Sequence, residues 1–214
     1  MRGKYAAFMA ALGIAWLFLV RFLGSVFPSL FTHMFVNRLT GVLSVLAAAA
    51  VLYFYIAFVR DYVEKDQQRL KKAAVWAAAG NCAVLVMYFG TMHNVLNWRI
   101  LPELFSAAWF FYLAPILPWI CALCVFAFFY VFFLEKGHNE RRHLPRAKLA
   151  ALIGAGLSLL LRSIIVVVYL SGGTLRWASD LPSSLNLFTF SLAVVIFLAT
   201  EFFFLSFYQD RDLI

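Results

Sequence analysis

The chain has 214 residues, 64% of them hydrophobic and only 13% charged, with a mean hydropathy of +0.87. A soluble domain carries about 25% charged residues, so this chain lacks the polar residues to cover a water-facing surface. A net charge of +8 does not point to nucleic acid, because the basic residues lie in short segments between apolar runs, with no separate basic domain and no nucleic-acid motif.

A hydrocarbon core about 30 Å thick is crossed by about 20 helical residues. Six runs have that length: residues 5–27, 39–59, 73–95, 115–134, 149–170 and 186–208. Backbone groups in lipid must be satisfied within a segment, which favours helices. The ten-residue alternating segments of a β-barrel are absent. The expected fold is all-α: one polytopic domain over residues 1–214, a bundle of six transmembrane helices.

The first run follows Met1-Arg2-Gly3-Lys4, a signal-like start. The run is long, Arg21 interrupts it and no small-x-small cleavage site follows, so it reads as an uncleaved span. Arg21, in its outer third, either snorkels to the headgroups or adds positive charge to an outer cavity beside His93 and Asn94. The loop Pro28–Asn37 contains His33. The loop 60–72, RDYVEKDQQRLKK, should extend its flanking helices by a turn or two, with i,i+4 pairs such as Asp61–Lys65. In the third run Asn81 stands about 12 Å from the inner end, with Tyr88 two turns further along its face.

Residues 97–114 include Trp98, Trp109 and Tyr112, and such residues favour the interface. A chain lying on the outer surface is expected, the alternative being one long kinked helix from Leu104 to Leu134. Pro115 and Pro118 then begin the fourth span, where a missing amide proton costs nothing. Cys121-Ala-Leu-Cys124 is a lone CxxC inside that span. It lacks the second cysteine pair or histidine cluster of a metal site, and packed thiols are the expectation. The loop 135–148 is basic, and the loop 171–184 is a Gly-Gly and Pro-Ser-Ser turn.

Arg162 in the fifth span and Glu201 in the sixth are full charges at bilayer depth, which normally have a partner or a task. Cα–Cβ bonds tilt toward each helix's N-terminus, so the two side chains lean toward each other across roughly 10 Å of axial separation. An intramembrane ion pair, or a ligand site including Asn81 and Ser158, is expected. Gly154, Ser158 and Arg162 recur every four residues, a helix-contact spacing. Two inverted halves of three spans are not supported, since polar residues do not recur at matching positions.

Of the 18 Lys and Arg residues, 13 lie at the two ends and in the second and fourth loops, 3 lie in the other loops, and Arg21 and Arg162 lie within spans. Both termini are therefore expected in the cytoplasm. The compact chain and short loops suit a bacterial inner membrane. Two intramembrane histidines for a haem are lacking, and no hydrolase, nucleotide or zinc-protease motif appears. No cofactor and no metal are expected, and no motif points to catalysis. Two functions remain. One is a non-catalytic membrane component working through protein or lipid partners, docked by the basic loops 60–72 and 135–148. The other is a small transporter or binder of an ionic or amphipathic solute, with its site around Arg162 and Glu201.

Overall fold

The computed structural model describes residues 2–64, 66–96, 113, 116–135, 144–170 and 183–209. Among them are six long helices: α1 (Arg2–Val26), α2 (Met34–Asp61), α3 (Gln68–Leu96), α4 (Ile116–Leu134), α5 (Leu144–Leu170) and α6 (Ser183–Gln209). A 3-10 turn, Pro28–Thr32, joins α1 to α2. All six are long and apolar enough to cross a membrane, so the chain is an all-α, multi-pass membrane protein. Most helices outrun their apolar segments. α2 continues to Asp61 and α3 begins at Gln68, since a helix carries its own backbone hydrogen bonds into water. Asp61 meets the Arg60 guanidinium, Nε to Oδ1 at 2.6 Å. Lys65, the partner expected from sequence, lies outside the described residues. So do 97–112, 114–115 and 136–143, and with them the surface segment and most of the basic fourth loop. Pro118 is the third residue of α4, within the first turn, where no intrahelical amide bond is lost.

Each helix packs against the next in sequence, and α6 packs back against α1. The six form a closed ring. Three ring contacts fix the antiparallel register of the closing pair: Phe8 with Tyr208, Phe18 with Phe197 and Phe22 with Phe190.

The core is concentrated at the end where α2, α4 and α6 finish. Phenylalanine on its own faces lipid at little cost, but here it fills the interior. Phe54, Phe58, Phe128, Phe132, Phe203 and Phe204 are almost wholly buried. Their rings meet edge to face, as in Phe54–Phe204 (4.7 Å, 85°), Phe129–Phe203 (4.9 Å, 83°) and Tyr55–Phe128 (5.2 Å, 88°). That geometry sets ring edges against the electron-rich faces, worth about 0.5–1.5 kcal/mol per pair beyond burial. The helices between them, α1, α3 and α5, present alanine to the cluster, with Ala6, Ala10, Ala74, Ala77, Ala147 and Ala151 all at 1% exposure or less. Large rings on three helices thus dock against small residues on the other three.

A repeat of a kind other than inverted halves emerges from this core. Phe54-Tyr55-x-x-Phe58, Phe128-Phe129-x-x-Phe132 and Phe203-Phe204-x-x-Phe207 are one pattern at one position of α2, α4 and α6. Ala6-x-x-x-Ala10-x-x-Gly13, Ala73-x-x-x-Ala77-x-x-Gly80 and Ala147-x-x-x-Ala151-x-x-Gly154 match in the same way on α1, α3 and α5. The glycines make equivalent contacts. A Cβ on Gly13 would stand 2.7 Å from the Ala47 carbonyl oxygen, one on Gly80 2.9 Å from the Cys121 Cα, and one on Gly154 2.9 Å from the Ala199 Cβ and 3.5 Å from the Ile196 carbonyl oxygen. Ala47, Cys121 and Ile196 each precede the first phenylalanine of their helix's pattern by seven residues. The chain is three tandem helical hairpins, each clamped at the same place.

At Gly13 and Gly80 the obstacle is backbone of the facing helix, which cannot rotate aside. Gly13→Leu is expected to destabilise by about 1–3 kcal/mol through overpacking. Gly156→Ala, whose Cβ would meet only Phe126 at 3.5 Å, is the neutral control. Phe203→Ala should cost about 3–5 kcal/mol, whereas Phe202→Ala, at a position 44% exposed, should change stability by less than about 0.5 kcal/mol. Thermal unfolding in dodecyl maltoside measures all four.

Candidate ligand-binding cavity

The aromatic side chains stop partway along the axis. One layer beyond them stand Val51, Val125 and Thr200, and beyond those α2 contributes Ala48 and α4 contributes Ala122, Cys121 and Pro118. Side chains this short leave the axis open. A cavity of about 250 Å³ occupies the space, bounded by all six helices, with Tyr55, Phe129 and Phe204 at its aromatic end. A second cavity, of about 460 Å³, adjoins it between α1, α5 and α6. The two share Tyr88, Ser158, Arg162 and Thr200 among their walls. Their sizes fall in or near the range of small-ligand sites, about 300–1,000 Å³.

Of the residues singled out from sequence, Arg162 lines both cavities, as does Ser158. Asn81 lines the smaller, 9% exposed, and its Nδ2 donates to the Ala77 carbonyl at 2.8 Å. That bond satisfies one amide proton within its own helix and leaves the amide oxygen available to the cavity. Arg21 lines the larger cavity and is itself exposed, which puts it at the mouth. His93 and Asn94 belong to α3, but their side chains lie outside the described residues.

Glu201 lines neither cavity. It sits on α6 between the Phe197 and Tyr208 ring contacts with α1, and its Oε1 is buried with no hydrogen-bond partner. Among the described residues, no carboxylate pairs with Arg21 or Arg162. The structure therefore brings Arg162, Asn81, Ser158 and Arg21 to one space and leaves Glu201 outside it.

Several other polar groups bond locally. Thr200 donates to the Ile196 carbonyl at 2.7 Å, and Ser44, on the wall of the larger cavity, to that of Thr40 at 2.7 Å. Trp119 Nε1 donates to Ser163 Oγ at 3.0 Å, joining α4 to α5. Cys121 and Cys124 face Gly80, where they pack α4 closely against α3. Lys148 is buried at the aromatic end: its Nζ donates to the Glu135 carbonyl at 3.1 Å and lies 4.0 Å over the Phe132 ring. A cation is favourable at a helix C-terminus and over a ring face.

An unpartnered carboxylate oxygen costs about 1–3 kcal/mol. Glu201→Leu is therefore expected to raise the unfolding temperature. Because Glu201 and Arg162 stand in different surroundings, the effects of Arg162→Ala and Glu201→Ala should add to within about 0.5 kcal/mol. A double-mutant cycle read by thermal unfolding checks both.

Comparison with protein-family models, with curated proteins and with solved structures finds no match to this chain.

Proposed function

We propose that this multi-pass protein binds an anionic or amphipathic solute within its helix bundle, at the cavity around Arg162. The observation that carries this reading is the pair of guanidiniums, Arg21 and Arg162, on one cavity wall with no carboxylate partner among the described residues. Two cations on one cavity repel each other, and the deeper one, Arg162, is poorly solvated; an anion relieves both costs. A purely structural bundle would fill its axis along the whole length, as this one does at the aromatic end.

We take the aromatic end, with both termini, to be cytoplasmic, which the Lys and Arg distribution supports, and a bacterial inner membrane to be the setting. On that reading the cavity opens toward the other face, and the aromatic cluster is its cytoplasmic floor. A carrier cycle would require the cluster to part. A non-catalytic component that acts only through partners needs no such cavity, and that reading recedes for this reason.

The test is water access. A single cysteine at Ser158, in a background with Cys82, Cys121 and Cys124 replaced, should be labelled by a membrane-impermeant thiol reagent from the non-cytoplasmic side only. Decanoate, a small anionic amphiphile, should slow that labelling. Absence of labelling from either side, in a protein that still inserts and folds, would return the charges to a structural role.

A further inference from the structure

The three hairpin repeats can be carried outward from the core. Starting from Gly13, Gly80 and Gly154, the next residues bring Ile14, Asn81 and Ala155 to equivalent positions, and three further on come Leu17, Val84 and Ser158. All six line the smaller cavity. Eight residues beyond the glycines stand Arg21, Tyr88 and Arg162. All three line the larger cavity. Spacings of three and four keep each set on one helix face. The floor obeys the same rule, because Tyr55, Phe129 and Phe204 occupy one position of the aromatic pattern. The cavity is therefore built in layers of three, one residue from each hairpin. The layer nearest the mouth consists of two guanidiniums and a phenol.

We infer that Arg21, Tyr88 and Arg162 form a three-armed cradle for a tetrahedral oxyanion, a phosphate monoester or its free phosphate. This rests on the cavity being the ligand site proposed above. Three hydrogen-bonding arms, one from each repeat, match the three terminal oxygens of a phosphate monoester. A planar carboxylate offers two oxygens and leaves one arm idle. Charge leads to the same choice: two guanidiniums balance a dianion, whereas one carboxylate leaves a cation uncompensated beside it. Arginine also binds phosphate oxygens in pairs, with charge-assisted bonds stronger than neutral ones. The space between the cradle and the floor is lined largely by aliphatic side chains and suits a short apolar substituent.

The purified full chain in dodecyl maltoside should be titrated calorimetrically with decyl phosphate, decanoate and inorganic phosphate. Decyl phosphate is expected to bind at least about tenfold more tightly than decanoate. R21Q and R162Q should each lower decyl phosphate affinity by about tenfold or more, and Y88F by several-fold, with decanoate affected less by Y88F. R162K keeps the charge but loses the paired geometry, and should also weaken decyl phosphate binding if R162Q fails to fold. Binding of inorganic phosphate at similar strength identifies the free anion as sufficient, and its absence beside tight decyl phosphate binding identifies the esterified form. Both outcomes support the cradle. Equal affinity for decyl phosphate and decanoate, with R21Q indistinguishable from the unmodified chain, overturns the cradle but leaves the cavity an anion site. No binding of any of the three overturns both.

Discussion

The structure depends on how closely helices can approach where water provides no driving force. Between helices in lipid the hydrophobic effect is absent, and association rests on packing and on hydrogen bonds. Here that packing is achieved by an alternation of sizes. Alanine and glycine on α1, α3 and α5 remove side-chain bulk, and phenylalanine on α2, α4 and α6 supplies it. The contacts at Gly13 and Gly80 bring backbone against backbone, which fixes the spacing within the first two hairpins; at Gly154 a methyl group and a carbonyl do the same. The aromatic cluster then has one size of interior to fill and fills it.

The cavity follows from the same rule in the other direction. Where α2 and α4 change from phenylalanine to Val51 and Val125 and then to Ala48 and Ala122, and α6 changes to Thr200, the ring of helices stays closed but its centre empties. The inner stripes of the odd-numbered helices face this space, and Asn81, Ser158 and the two arginines lie on them. Site and scaffold are thus two levels of one repeated hairpin. The third hairpin departs from the pattern at Lys148, which stands where the others have Ala7 and Ala74. Its stem covers the Phe132 ring and its amine caps the end of α4.

Much of the fold was legible from residue order. Six apolar runs of sufficient length become six helices, and the polar flanks at Asp61 and Gln68 belong to α2 and α3. Arg162 stood out because a charge within an apolar run is rare, and it does line the cavity. Its partner was less legible. Depth and Cβ tilt place Glu201 within reach, but neither fixes the rotation of α6, which the ring contacts of Phe190, Phe197 and Tyr208 with α1 determine. The repeat was hidden for a related reason. It is written in alanine and phenylalanine, which in a membrane chain resemble background, and the polar position that attracts attention is arginine in the first and third hairpins, Arg21 and Arg162, but Tyr88 in the second.

The ring is closed by its first and last helices. During synthesis α1 enters the membrane first of the six, yet its α6 neighbour comes last. Until then five helices form an arc, and the axis lies open to lipid along the side that α6 will cover. The walls of the larger cavity come chiefly from α1, α5 and α6, so this space exists only after the final join. Acyl chains occupying the gap must leave as α6 docks or be enclosed by it. Closure of the ring therefore includes a displacement of lipid, at the seam where Glu201 sits.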